Sequence, residues 1–252
     1  MARKPSMGAD RARAGRVALS VPSTFAQYKT LLAKDLQQEF RTKEMLTSMG
    51  IYALLVLIVY GASLGQTAQA TDVLQISGGL LWALIVFTSL LGLNRSFGHE
   101  KEQGCMEGIL LVPMDRSVIF LAKDTSNLLF LLVVEVVAVP LFWFFFLTTA
   151  TPGPDFMLMV APLLVGTIGV AGIGTLLSTI TVNTRGKDVM LAVLFVPLIF
   201  PLLYACASAT TAVVVGSEGY FDVFVQSLAL AGGYDVIMLL LSWVLYDFVI
   251  SA

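Results

Sequence analysis

The residue with the most evident chemical potential is a carboxylate in apolar surroundings. Glu135 falls near the middle of the run NLLFLLVVEVVAVPLFWFFFL, with Pro140 five residues on. If this run crosses a bilayer, a carboxylate at mid-depth costs about 3 kcal/mol, so it must face a polar cavity, meet a partner or carry a proton. Pro140 has no N–H and frees the Val136 carbonyl one turn back, where a protonated Glu135 could help. Two readings are open: a pathway or gating residue, or a hydrogen bond between helices or to a partner subunit. Asp247, close to the end of the last apolar run, can reach water and reads as structural. His99 is the only histidine, and without Cys or carboxylate ligands at metal spacing it makes no metal site. No GxxxxGK[ST] loop cradles phosphates, and no nucleophile sits beside an obvious base. The chain is therefore not expected to be an enzyme by itself.

The most informative segment is Asn94–Lys123, NRSFGHEKEQGCMEGILLVPMDRSVIFLAK. Its first part is highly charged. Met106, Ile109 and Leu110 then form an i, i+3, i+4 apolar patch, with Glu107 beside it and Pro113 ending the segment. A short helix standing off a membrane with such a face needs a protein partner to cover it. The alternative is that it folds back onto the inner ends of the membrane spans.

The elements that must hold these residues follow from charge and hydropathy. Of the 15 Lys and Arg, nine precede Glu44, four lie between Asn94 and Lys123, and two are Arg185 and Lys187. The intervening turns Gly65–Gln75, Ala150–Phe156 and Gly216–Ser227 have none. A soluble core has no reason to sort charge this way. A bilayer does, because cationic loops stay cytoplasmic, which places both termini inside. Hydrophobic residues make up 57% and charged residues 13%, against roughly a quarter charged in globular domains. Runs of the length that spans a bilayer, about 20 residues, occur near Leu46–Leu64, Ile76–Leu93, Thr125–Thr149, Met157–Val182, Val189–Val215 and Leu228–Ile250. The last contains Asp235 and Gly232-Gly233, so Tyr220–Leu230 could instead be a separate amphipathic helix on the outer side. The expected fold is an all-α polytopic membrane protein of six transmembrane helices.

Before the first span, Thr24 and Gln27 stand at capping-box spacing, and Phe25, Tyr28, Leu32, Leu36 and Phe40 recur at helical spacing. Residues 24–43 thus read as an elbow helix lying in the cytoplasmic interface with its stripe in the acyl boundary, although Glu39 encroaches on that stripe. The alternative is a plain helical extension of span one. Residues 1–22 are basic, lack the apolar core of a signal peptide, and read as a disordered cytoplasmic tail; residues 23–252 form a single membrane domain. Cys105 and Cys206 lie on different sides in this topology and form no disulfide. Gly166, Gly169, Gly172 and Gly174 give span four a smooth face, for sliding or for tight packing. Pro197 and Pro201 should bend or break span five, as Pro140 should kink span three.

The loop resembles the haem exporter protein B family, the permease-like subunit of the ABC-type system for cytochrome c maturation. The matching residues are Leu93-Asn94-Arg95-Ser96-Phe97, then Glu102, Gly104, Glu107, Gly108, Ile109, Leu110 and Pro113, then Asp115-Arg116 and Lys123. Lys34-Asp35-Leu36 with Glu39 and Arg41, Leu81-Trp82-Ala83, and Gly186 to Tyr204 fit as well, so that the likeness covers roughly 28–250. The basic N-terminal extension and His99 depart from it. The resemblance implies an ABC-2-type permease fold in the inner membrane, with Glu102–Pro113 as the loop that couples to a separate ATPase subunit. It also implies a neighbouring haem-handling membrane subunit. Under that reading ATP binds the partner, and haem is handled by the complex. This chain has no tryptophan-rich segment, since Trp82, Trp143 and Trp243 are scattered, and no outer histidine to ligate iron. No cofactor is expected on this chain alone, and no nucleic acid. Three functions are open: a transport subunit for haem or another substrate, a mechanical or scaffold subunit that releases a haem-loaded partner, and a proton-coupled carrier using Glu135.

Overall fold

The structure, a computed structural model, describes residues 23–64, 70–102, 116–147, 156–181 and 186–251. Every regular element among them is helical: α1 (Thr24–Thr42), α2 (Glu44–Leu64), α3 (Ala70–Glu102), α4 (Arg116–Phe142), α5 (Val160–Thr181), α6 (Lys187–Val215) and α7 (Tyr220–Ser251). A π-helical turn, Trp143–Leu147, prolongs α4, and a 3-10 turn, Phe156–Met159, leads into α5. Six segments are long and apolar enough to cross a bilayer: Glu44–Leu64, Val73–Arg95, Ser117–Leu147, Met157–Thr181, Val189–Val215 and Tyr220–Leu245. Helix is what such sequences must adopt in hydrocarbon, where each backbone N–H and C=O has to be satisfied within its own segment. The chain is an all-α polytopic membrane protein.

Several boundaries differ from the sequence reading. α3 continues to Glu102 and α4 begins at Arg116, so the connection expected over 94–123 is helical at both ends. A helix need not stop where the hydrocarbon does, and the charged residues that ended the apolar runs ride on its projecting turns. α7 runs unbroken through Gly232-Gly233, so no separate outer helix forms over Tyr220–Leu230. α6 is likewise continuous, with Pro197 and Pro201 inside it, rather than broken. Part of the reason lies in α7, where the Tyr234 hydroxyl donates to the Leu198 carbonyl in the turn that Pro201 disturbs. Pro140 also sits inside α4, and the helix widens into its π turn three residues later.

α5 is the hub of the bundle, buried at Gly166, Thr167 and all residues from Gly169 to Thr179. Its glycines are met by side chains from three directions: Gly166 by Trp82 of α3, Gly169 by Asp235 of α7 and Leu202 of α6, Gly172 by Leu239 of α7, Gly174 by Leu93 of α3. This is interlocked packing, the tight-packing reading of the two that the glycine spacing left open. Trp82 is wholly buried and held by a 3.0 Å hydrogen bond from its indole N–H to Thr210 of α6.

α1 breaks from α2 at one residue, Lys43, whose left-handed conformation (φ 54) turns the corner while its N–H bonds the Glu39 carbonyl. The cap is Ser23 rather than Thr24: the Ser23 hydroxyl accepts from the Ala26 N–H at 3.4 Å, one position earlier than the capping box suggested. The stripe also divides unexpectedly. Phe25 and Phe40 are 74% and 62% exposed, whereas Gln27 and Glu39 are buried. α1 thus sends single polar residues, Gln27 and Glu39, towards the bundle, while Phe25 and Phe40 near its two ends face outward.

Candidate functional site

The charged side chains at one end of the bundle tie α1 to the helices that lead into and out of the loop. Asp35 of α1 receives Lys123 of α4 at 2.9 Å, with both side chains only 9% exposed. Ser126 of α4 donates to the same carboxylate at 3.4 Å, and Lys34 stands 3.5 Å from its other oxygen. About two turns earlier on α1, Tyr28 donates to Thr125 of α4 at 3.0 Å. On the other flank of the loop, Arg95 of α3 pairs with Glu44 at the start of α2. The two pairs differ in weight. Arg95–Glu44 is exposed, and such pairs contribute about 0–1 kcal/mol. Removing one member of a buried pair such as Asp35–Lys123 costs about 3–5 kcal/mol, because the other charge is stranded.

Glu39 explains its own intrusion on the apolar stripe. Its Oε1 accepts the Leu46 N–H at 2.8 Å, across the corner between α1 and α2. That N–H belongs to the first turn of α2, where no intrahelical acceptor exists. A buried carboxylate on one helix therefore caps the next, and also completes the corner.

Inside the membrane span, Glu135 points into the bundle while Val136 and Val137 beside it are 72% and 59% exposed. Thr167 of α5 donates to Glu135 Oε1 at 2.7 Å and also lies 2.7 Å from the Leu163 carbonyl. The carboxylate thus links α4 to α5, the interhelical arrangement of the structural reading. A cavity of about 10 Å³ adjoins it, lined by Thr88 of α3 and otherwise mostly by apolar residues such as Leu84, Ile85 and Leu131. That is at the lower limit for one water molecule.

Of the residues proposed to couple to an ATPase, Glu102 ends α3. Gly104, Met106, Glu107, Gly108, Ile109, Leu110 and Pro113 lie outside the described residues. The structure brings together what flanks them instead. Asp35, Glu39, Arg95 and Lys123 occur among the residues that carried the family resemblance, yet sequence reasoning assigned them no roles. The available signal was a buried-side charge on each partner: an acid on the elbow and a lysine at the start of a span. Asp124, Asn127 and Thr175 were missed altogether, because polar residues near the end of an apolar run look like its boundary.

A family model described as CcmB protein matches residues 26–247. Heme exporter protein B of Pseudomonas aeruginosa is 28% identical over 206 residues, covering 81% of this chain and 90% of the relative. Heme exporter protein B of Paracoccus denitrificans is 26% identical over 205 residues, covering 81% of this chain and 91% of the relative. That of Rhodobacter capsulatus is 25% identical over 175 residues, or 69% and 78% of the two chains. The matched stretch takes in most of α1, the six apolar helices and the 94–123 connection. The chain belongs to the CcmB protein family.

Proposed function

We propose that this protein is the membrane permease subunit of a haem-export system in cytochrome c maturation, working with a separate ATPase and a haem-handling membrane subunit. The observation that carries this reading is the family match along nearly the whole chain, together with relatives named Heme exporter protein B. The chain itself is not the enzyme; ATP hydrolysis belongs to the partner. Residues 23–252 act as one membrane domain in the inner membrane, with residues 1–22 and the 94–123 connection on the cytoplasmic side, as charge sorting favours.

The route of coupling runs from the loop patch Met106, Glu107, Ile109 and Leu110 to the two helices it joins. α3 and α4 are tied at that end to α2 and α1 through Arg95–Glu44 and Lys123–Asp35. A push on the loop therefore reaches the elbow as well as two spans. Whether haem passes through this chain is a separate matter, and one observation favours the mechanical alternative. The interior beside Glu135 offers about 10 Å³, room for at most one water, and α5 is buried at Gly166, Thr167 and from Gly169 to Thr179. A single bundle packed in this way helps a haem-loaded partner by moving, without conducting the haem itself.

The test is purification of the tagged full chain from native membranes in mild detergent. The ATPase and a haem-containing membrane protein should accompany it, and loss of the chain should abolish c-type cytochromes. A chain that purifies alone, from cells whose c-type cytochromes survive its deletion, would refute the reading.

A further inference from the structure

A second polar group lies between α4 and α5, nearer the charged end than Glu135. Asn127 donates to the Thr175 hydroxyl at 2.9 Å, and Thr175 is also hydrogen-bonded to the Asp124 carboxylate. Asp124 and Asn127 are three residues apart on α4, and Thr175 and Ser178 three apart on α5, so each pair occupies one helix face. Three oxygens of this group, Asp124 Oδ1, Asn127 Oδ1 and Ser178 Oγ, are buried and meet no hydrogen-bond donor or acceptor among the described residues. Asn127 is 1% exposed and Ser178 2%. Buried polar atoms are nearly always paired, because each orphan costs about 1–3 kcal/mol. Two of these orphans belong to residues bonded to the Thr175 hydroxyl and the third lies one turn along the same face of α5; such a group calls for an occupant.

The donor set specifies its chemistry. All three atoms are oxygens, which suit hard cations rather than the softer transition metals. The group carries one formal negative charge, so a single positive charge neutralises it. Among the described residues there is no group of three or more His, Cys, Asp or Glu side chains for a more highly charged metal. The neighbouring charges are accounted for as follows. Lys123 faces Asp35 of α1 with Lys34 beyond it, α5 contributes no ionisable side chain, and on α7 Asp235 lies against Gly169, one turn from the Gly172 that Asp124 approaches. Access is from the charged end, since Asp124 is adjacent to Lys123 and only partly buried.

The geometry points to a binding site for a small monovalent cation: sodium held by the oxygens of Asp124, Asn127 and Ser178 beside Thr175, or a proton on the Asp124 carboxylate. This site braces α4 against α5 next to the loop's root. It needs neither the ATPase nor haem, so it stands or falls apart from the function proposed above.

The probe is sodium chloride against choline chloride at matched ionic strength, read as the melting temperature of the purified full chain, repeated between about pH 6 and 9. If sodium is the occupant, it raises the melting temperature saturably. Asp124→Asn abolishes the rise, and Ser178→Ala increases the half-saturating sodium concentration roughly fivefold. If a proton is the occupant, the two salts give the same curve, and the melting temperature falls with rising pH more steeply in the wild type than in Asp124→Asn, which still carries the buried carboxyls Glu135 and Asp235. A wild type indifferent to both sodium and pH overturns the proposal, as does an Asp124→Asn protein that keeps the wild-type response. Should Asp124→Asn fail to fold, Ser178→Ala decides: a displaced sodium or pH midpoint supports the site and an unmoved one removes it.

Discussion

Replacing Lys123 with Met removes one half of the tie between the elbow helix and the span that leaves the loop. The methionine fills nearly the same volume, so the change is chiefly electrostatic. Asp35 keeps Ser126 at 3.4 Å and Lys34 at 3.5 Å, but loses its 2.9 Å partner in a setting where its side chain is 9% exposed. Stranding a buried charge costs about 3–5 kcal/mol, and the half-exposed Lys34 brings this to the lower end, about 3 kcal/mol. Asp35→Asn should cost about as much from the other side. The two changes share one interaction, so the double variant should be milder than their sum by about 1–3 kcal/mol. The assay is trypsin cleavage within α1, at Lys29, Lys34 or Arg41, in membranes that expose their cytoplasmic face. A 3 kcal/mol loss raises the population of the detached helix on the order of 100-fold, and cleavage should accelerate accordingly when opening is fast. Unchanged cleavage in both single variants, or strict additivity in the double, would refute the tie.

Three further outcomes follow from the packing. Glu135→Gln keeps an oxygen for the Thr167 hydroxyl, so cytochrome c assembly should persist, while Thr167→Val should lower stability by about 1 kcal/mol; assembly lost with Gln in an intact complex would return Glu135 to a pathway role. Gly166→Ala places a methyl against the Trp82 ring, which its bond to Thr210 prevents from yielding, so thermal stability should fall by about 1–3 kcal/mol, and an unchanged melting curve would contradict the packing. Cysteines placed at Gln69, Pro154 and Glu218 should be labelled only from the outer side, and labelling only from the cytoplasm would overturn the topology.

The spans were legible because hydrocarbon allows few alternatives: apolar length and the grouping of fifteen cations between the apolar runs mark them almost without packing. Where the sequence misled, the reason was a neighbour it could not display. Pro197 and Pro201 predicted a helix bent or broken; it does not break, and α7 lends a tyrosine hydroxyl to the disturbed turn. Gly166 to Gly174 left sliding and tight packing both open, and Trp82, Asp235, Leu239 and Leu93, reaching in from α3 and α7, decide for packing. Glu39 looked misplaced because its target, the Leu46 N–H, lies across a corner formed by one left-handed residue. Lys123 and Asp35 are 88 positions apart, and only the fold brings them to 2.9 Å.

In the proposed function the 94–123 connection transmits the work of an ATPase into the bundle. The most direct measurement is ATP hydrolysis and subunit recovery in a reconstituted complex, comparing the wild-type chain with Ile109→Asp. An aspartate buried in that contact should cost several kcal/mol, roughly 3–5. The ATPase should then separate, or hydrolyse ATP at the rate it shows without this chain, while the variant stays in the membrane. Full recovery of the ATPase with unaltered hydrolysis would contradict the claim.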